Sequence, residues 1–467
     1  MNKLILVAIF GVVFSLQPAF AATRFSALDS NTKFQCSPMA EVGCKGLYKV
    51  RQNDEVALLS TGRDSLSMRL RSLIYAKQSI RIQALIFTGD ESGLRIANIL
   101  KQKKRENPKM DIRVIVDGVS NPGLQTQRMY ADLERHGIEV DGYEPNYLQW
   151  INEVSANDPL LPNKRYHDKL WIIDAEGPEP TAIIGGLNIA NEYFRVSNGP
   201  KNRWRDQDVI MRGAVVADLV IGFERNYAHF KKIKSWRPAL LRAPKIGLIP
   251  YKQDKSLLKQ VAHAEKDTSF ELNYTESKVR FFQSRPRFGE SYINQVYLSM
   301  IREAQNEILI ENAYFIPEPD MIQALRAAAL RGVKVRILTN GIESNDMPIM
   351  ADACRYTYKD LMGSDSKVEI NEWLAEGTIH AKFAVFDRQV ALVGSHNLDP
   401  RSKILNSETI VLVESRKLAS ELADVFMKKD MAKIRTITWD QAVRFHDPSK
   451  AAEKFNLFLS TRFRGQL

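Results

Sequence analysis

Residues 166–174 read YHDKLWIID, and residues 379–387 read IHAKFAVFD. Each stretch sets a His and a Lys two positions apart on an apolar, β-branched run, with an Asp seven positions after the His. Strand side chains alternate faces, so His167 and Lys169 share one face, as do His380 and Lys382. Asp174 and Asp387 fall at an odd offset, at the strand's end. They face the other way and suit structure better than contact with a substrate.

Two such runs in one chain call for a search for repeats. Residues 71–87 (RSLIYAKQSIRIQALIF) match residues 299–315 (SMIREAQNEILIENAYF). Residues 111–118 (DIRVIVDG) match residues 334–341 (KVRILTNG). Each pair has a helical end leading to an apolar strand, or a β-branched run after a basic helical segment, as in β-α-β units. The order is the same in both halves. The expectation is a duplicated α/β fold of two similar lobes, residues 55–237 and 280–467, each a central mixed sheet flanked by helices. Pro238, Pro244 and Pro250 punctuate a linker over residues 238–279. Residues 22–54 read as an irregular extension.

Residues 1–21 read as a secretory signal peptide. Lys3 supplies the positive region, residues 4–16 are almost wholly apolar, and Ala19-Phe20-Ala21 is a small-x-small cleavage site. The run is short for a membrane span; an uncleaved anchor is the alternative. The mature chain is expected from near Ala22, exported to a periplasm or secreted, and soluble or peripheral to a membrane. In an oxidising compartment Cys36 and Cys44 can close a small disulfide loop. Cys354, in a helical pattern, reads as a buried small hydrophobe. The 467 residues carry a net charge of +11 and are 44% apolar. That composition excludes extensive disorder. The charge suits an anionic partner: nucleic acid, an anionic membrane or a phosphate ester. A mildly basic face on a soluble protein is the plainer account.

Matching elaborations follow each motif. Ile183-Ile184-Gly185-Gly186-Leu187-Asn188 parallels Leu392-Val393-Gly394-Ser395-His396-Asn397. Small residues at a strand end permit close approach, and Asn188 and Asn397 can each donate an amide N–H to a phosphate oxygen. Farther on, Asp208 precedes Val209-Ile210-Met211 and Glu408 precedes Thr409-Ile410-Val411. Read as equivalents, Asp208 and Glu408 would each accept the Nδ1–H of their own lobe's His, setting its tautomer. His396 has Leu187 as its counterpart and reads as peripheral.

On these residues the chain resembles the phospholipase D superfamily through two complete HxKx4D motifs. It is similar more narrowly to bacterial cardiolipin synthases through Trp204-Arg205-Asp206, residues 339–346 (TNGIESND) and residues 397–402 (NLDPRS). The likeness spans about residues 58–425. It departs in having a signal-like N-terminus where those synthases carry membrane helices, and Gly341 where Ser is usual. The resemblance implies that both motifs meet in one cleft at the lobe interface. One His attacks phosphorus to form a phosphohistidine, and the other serves as general acid and then base. It points to His167 as the nucleophile; the residues alone do not choose. Lys169, Lys382, Asn188 and Asn397 would clamp the non-bridging oxygens, so no metal or cofactor is required. Implied partners are a phospholipid or membrane surface and an alcohol acceptor such as glycerol or phosphatidylglycerol. Two motifs per chain require no obligate oligomer.

An exported nuclease on the same core is the second reading; nucleic acid fits less well, because small nucleases of the superfamily usually carry one motif and dimerise. A binding module that has lost its chemistry is the third, and two intact motifs argue against it. Tyr143, Tyr147 and Trp150 could line a lipid entrance, and Phe281, Phe282 and Phe288, near Arg285 and Arg287, could touch a membrane. Packing is the commoner role for both groups.

Overall fold

The computed structural model describes residues 25–30, 48–117, 120–142, 164–196, 204–235, 272–365, 367–447 and 454. The expected signal peptide, Cys36, Cys44, Tyr143, Tyr147, Trp150 and residues 238–271 of the expected linker lie outside those residues.

The first lobe contains β1 (Val50–Leu59), α1 (Gly62–Tyr75), β2 (Ser79–Ala84), α2 (Glu91–Glu106), β3 (Asp111–Val116), α3 (Leu124–Arg135) and β4 (Glu139–Asp141). It continues through β5 (Leu170–Ile173), β6 (Thr181–Gly185), α4 (Asn191–Phe194), β7 (Asp208–Arg212) and α5 (Val215–Ser235). The second repeats the plan: β8 (Thr275–Ser284), α6 (Tyr292–Glu303), β9 (Glu307–Asn312), α7 (Pro319–Leu330), β10 (Lys334–Asn340), α8 (Pro348–Met362) and β11 (Glu369–Trp373). Then come β12 (Lys382–Phe386), β13 (Val390–Gly394), α9 (Pro400–Ile404), β14 (Glu408–Glu414), α10 (Arg416–Lys428), β15 (Ile434–Thr436) and α11 (Trp439–His446).

The strands form one mixed sheet, ordered β15-β11-β10-β9-β12-β13-β14-β8-β1-β7-β6-β5-β2-β3-β4. Read outward from the β8–β1 pair, the two halves have the same order. Among the described residues every strand of lobe one has a counterpart, and only β15 is extra. The lobes therefore share a single sheet, joined where β1 pairs antiparallel with β8 (Val50↔Arg280, Val56↔Thr275). Both joining strands start earlier than the expected lobe boundaries. β1 begins with the polar Val-Arg-Gln-Asn-Asp run, whose side chains show no period-two signal.

Both faces of the sheet are covered. On β5, Leu170 and Ile172 enter one apolar layer while Trp171 and Ile173 enter the other, as strand alternation requires. The continuous apolar runs of β12 and β13 reflect the same two-sided burial. Helix ends follow side-chain chemistry: at α1, Thr61 and Asp64 form a reciprocal capping box. The short stretch at residues 25–29 docks on lobe two, with Phe25 and Leu28 buried and Ser26 N donating to Glu303 (2.8 Å). Phe281, Phe282 and Phe288 are buried, so they pack inside the molecule. Cys354 is buried with a free thiol. Among the described residues no helix is long and apolar enough to cross a membrane.

Candidate active site

The two motif segments run in at the seam between the lobes. Each is tied by backbone to the opposite lobe. His167 N donates to Ser407 O (2.8 Å), and Ser407 N donates to Arg165 O (2.8 Å). In the mirror arrangement, His380 N donates to Arg205 O (2.7 Å) and Arg205 N to Thr378 O (2.7 Å). The residue after each tie carries the carboxylate. Glu408 accepts from His167 Nδ1 at 2.9 Å. Asp206 accepts from His380 Nδ1 at 2.7 Å. A carboxylate only accepts, so each Nδ1 carries the proton and each Nε2 is left for chemistry.

This corrects two expectations. The imidazoles are oriented by the opposite lobe, not their own. And in lobe one the partner is Asp206, not Asp208. Sheet register explains the second point: Gly185 faces Asp208, whereas Gly394 faces Ile410. Since Gly185 and Gly394 are equivalent, Asp206 is the true counterpart of Glu408. Asp206 and Asp208 are two apart and share strand parity, so alternation alone does not separate them; counting register from the glycines does. Asp208 lies behind the site, bound to Arg69 Nη1 (2.6 Å) and to Ser65.

The two carboxylates differ in support. Glu408 receives Ser402 Oγ (2.8 Å), Ser395 Oγ (2.5 Å) and Asn406 Nδ2 (3.4 Å) besides His167. Despite burial, the His167 imidazole, with His396 and Lys169 adding to it, holds it down to about 2. Asp206 takes Gln207 N (2.8 Å), and burial pushes it up to about 6. Where lobe two has Ser395, lobe one has Gly186. A Cβ there would lie 2.3 Å from Asp206 Oδ1, so the shorter carboxylate needs the missing side chain.

Lys169 Nζ donates to His167 O (2.9 Å), and Lys382 Nζ donates to His380 O. All four motif side chains are buried. Burial lowers Lys169 to about 7, with Lys382 adding to the effect, and lowers Lys382 to about 8. Burial and the two lysines also hold His380 well below the usual histidine range. Burial brings His167 to about 4 against the pull of Glu408. Tyr193 and Trp204 flank His380, with ring centroids 5.0 Å and 5.3 Å away. Asn188 accepts from Ile86 N (3.1 Å) and gives one amide N–H to Tyr193 Oη (2.9 Å). Asn397 is buried, and its Oδ1 has no partner among the described residues.

Asp174 and Asp387 are away from this cleft, at the far ends of β5 and β12. Asp174 accepts from the backbone N–H groups of Lys77, Gln78 and Ser79 at 2.6–3.0 Å. Asp387 does the same for Gln305, Asn306 and Glu307. His396 is buried beside Tyr297, with ring centroids 5.9 Å apart.

What the arrangement offers is two imidazoles, each held at Nδ1 by a buried carboxylate, and two buried lysines beside them. A family model described as "Cardiolipin synthase, PLD-like domain" matches the chain twice, at residues 70–209 and 297–430, together more than half of it. The chain is 29% identical over 371 residues to a cardiolipin synthase of Halalkalibacterium halodurans, covering 79% of this chain and 65% of that one. It is 28% identical over 391 residues to the major cardiolipin synthase of Bacillus subtilis, covering 84% and 71%. The crystal structure of a phosphatidylserine synthase from Haemophilus influenzae superposes with a TM-score of 0.61 at 17% identity, covering 88% of this chain and 94% of that one, which is a likeness of fold. The duplicated sheet, the paired motifs at its seam and the two family matches make this chain a member of the phospholipase D superfamily, in its cardiolipin synthase PLD-like domain family.

Proposed function

We propose that this protein is an exported phosphatidyltransferase of the cardiolipin synthase type, joining one phosphatidylglycerol to another and releasing glycerol. The observation that carries the reading is the pair of histidines, each bound at Nδ1 by a carboxylate of the opposite lobe, which leaves Nε2 for the chemistry. One imidazole attacks phosphorus: a P–N bond forms, the P–O bond to the departing glycerol breaks, and the other imidazole protonates that oxygen. The second imidazole then takes the proton of an acceptor hydroxyl, which displaces the phosphohistidine. Lys169 and Lys382 hold the non-bridging oxygens as charge shifts. Burial and both lysine charges depress the imidazoles; a bound phosphodiester anion offsets the lysines and lets one imidazole carry the second proton. Export rests on the reading of residues 1–21.

The test is to incubate the purified chain with phosphatidylglycerol vesicles, with and without chelator, and resolve the lipids. Cardiolipin and free glycerol, formed in chelator, are expected. Phosphatidic acid alone would make the protein a hydrolase. No lipid turnover by folded protein would transfer the reading to nucleic acid. His167→Ala and His380→Ala should each lower turnover by more than about 10³-fold with the melting temperature retained; near-normal activity in either would end the paired-histidine mechanism.

A further inference from the structure

The internal two-fold makes the two ends of the cleft comparable residue by residue, and their charges differ. Arg165 stands two positions before His167, and its counterpart two before His380 is Thr378, which donates to Ser344 O (2.8 Å). Arg401 stands four positions after Asn397, and its counterpart four after Asn188 is Glu192. At one end, then, the fold carries two arginines; at the other, a threonine and an acid beside Tyr193 and Trp204.

The two arginines stand on segments that come together although they belong to different lobes. Arg401 O accepts from Asn406 N (3.0 Å), and Arg165 O accepts from Ser407 N (2.8 Å). They therefore flank adjacent residues of the segment that leads into Glu408. Both side chains are partly exposed. Burial first, and then the Arg165 charge, lowers the proton affinity of the Arg401 guanidinium, as expected of like charges held together. Three carboxylates lie within electrostatic reach of Arg401. Asp117 is 3.9 Å from Arg165 Nε and accepts from Ser120 N (2.9 Å). Asp399 caps α9 through Ser402 N (2.7 Å). Glu408 is engaged by His167, Ser395 and Ser402. Arg165 also donates through Nη1 to Lys164 O (2.9 Å). Two guanidinium groups within electrostatic reach of each other, one of them two positions from a phosphate-handling histidine, suit a phosphate oxyanion bridged by both.

We propose that Arg165 and Arg401 form a subsite for a second, non-reacting phosphate, carried three carbons from the reacting phosphorus. This rests on the transfer between two phosphatidylglycerols proposed above, in which the second lipid brings its own phosphodiester and the product holds both. A free alcohol or water brings no such group, so the subsite favours a phospholipid acceptor over either.

The probes are two water-soluble headgroups: deacylated cardiolipin, with two phosphates, and deacylated phosphatidylglycerol, with one. Calorimetric titration of the whole chain should show the two-phosphate headgroup binding about tenfold more tightly. Arg165→Gln/Arg401→Gln should bring that ratio close to one, and Arg165→Lys/Arg401→Lys should keep part of it. If the double Gln variant does not fold, Arg401→Gln alone should at least halve the ratio. In vesicles the double Gln variant should lower the ratio of cardiolipin to phosphatidic acid. Equal binding of both headgroups by the unmodified chain, or a ratio unchanged in the folded Gln variants, would overturn the subsite. An unmodified chain that makes no cardiolipin, yet prefers the two-phosphate headgroup through these arginines, would instead overturn the reaction and leave the subsite standing.

Discussion

Asp206 and Asp208 show how much two residues of register matter. Both are buried and both lie near the start of β7, yet Asp206 binds His380 Nδ1 and Asp208 binds Arg69. Asp206→Asn would present an amide that cannot hold the imidazole tautomer as a carboxylate does. We expect kcat to fall about 10²-fold or more with little loss of stability. Asp208→Asn breaks a buried ion pair and should cost about 3 kcal/mol in a denaturant melt. A reversal of these effects would restore Asp208 as the histidine's partner. The lysines set the pH dependence. A lysine loses its charge as pH rises through its pKa, and burial places Lys169 at about 7 and Lys382 at about 8. In the free enzyme the phosphate clamp therefore weakens as pH rises through that range. kcat/KM should fall between roughly pH 7 and 9 while kcat stays flatter, because bound phosphate raises both lysines. A flat kcat/KM profile across that range would contradict the clamp.

At the scale of elements, the third motif residue belongs to the hairpin and not to the cleft. Asp174 and Asp387 both adopt left-handed backbone (φ 49° and 52°) and gather three consecutive N–H groups ahead of β2 and β9. Those donors have no ladder partner at the strand's entry, so the carboxylate satisfies them. Asp174→Asn should lower stability by about 1.5–3 kcal/mol through weaker charge-assisted bonds, with specific activity per folded molecule preserved. A thermal melt beside an activity assay reads both, and a loss of activity at full folding would place Asp174 in the chemistry. The odd offset from the histidine made this side of the strand legible in the sequence. The β8–β1 join was not legible, because β1 opens on a polar, largely uncovered run that shows no period of two.

Across the whole molecule the lobes exchange their supports. His167 of lobe one depends on Glu408 of lobe two, and His380 depends on Asp206 of lobe one. Arg205 strengthens the exchange by gripping Asp430 of lobe two at 2.8 and 2.9 Å. Removing a carboxylate disfavours the protonated imidazole. Glu408→Gln should therefore lower the titration midpoint of His167 and spare His380, with Asp206→Asn doing the opposite. Histidine-labelled NMR titration checks this; a shift confined to the mutated residue's own lobe would refute the crossed wiring.

The linear chain itself determined the duplication and the two motifs, because these rest on recurring strings; His167, Lys169 and His380 stand just before β5 and β12, so strand alternation does not set their direction. It also carried the paired Asn and Gly positions and the family likeness. Which carboxylate serves which histidine was decided only by tertiary structure. That choice depends on strand register and on a pairing across more than 170 residues, and no local period encodes either. The merging of two sheets into one, and the approach of the segments that carry Arg165 and Arg401, likewise arise where the lobes join. There, residues distant in the chain become neighbours through backbone hydrogen bonds, which any sequence can form and few sequences announce.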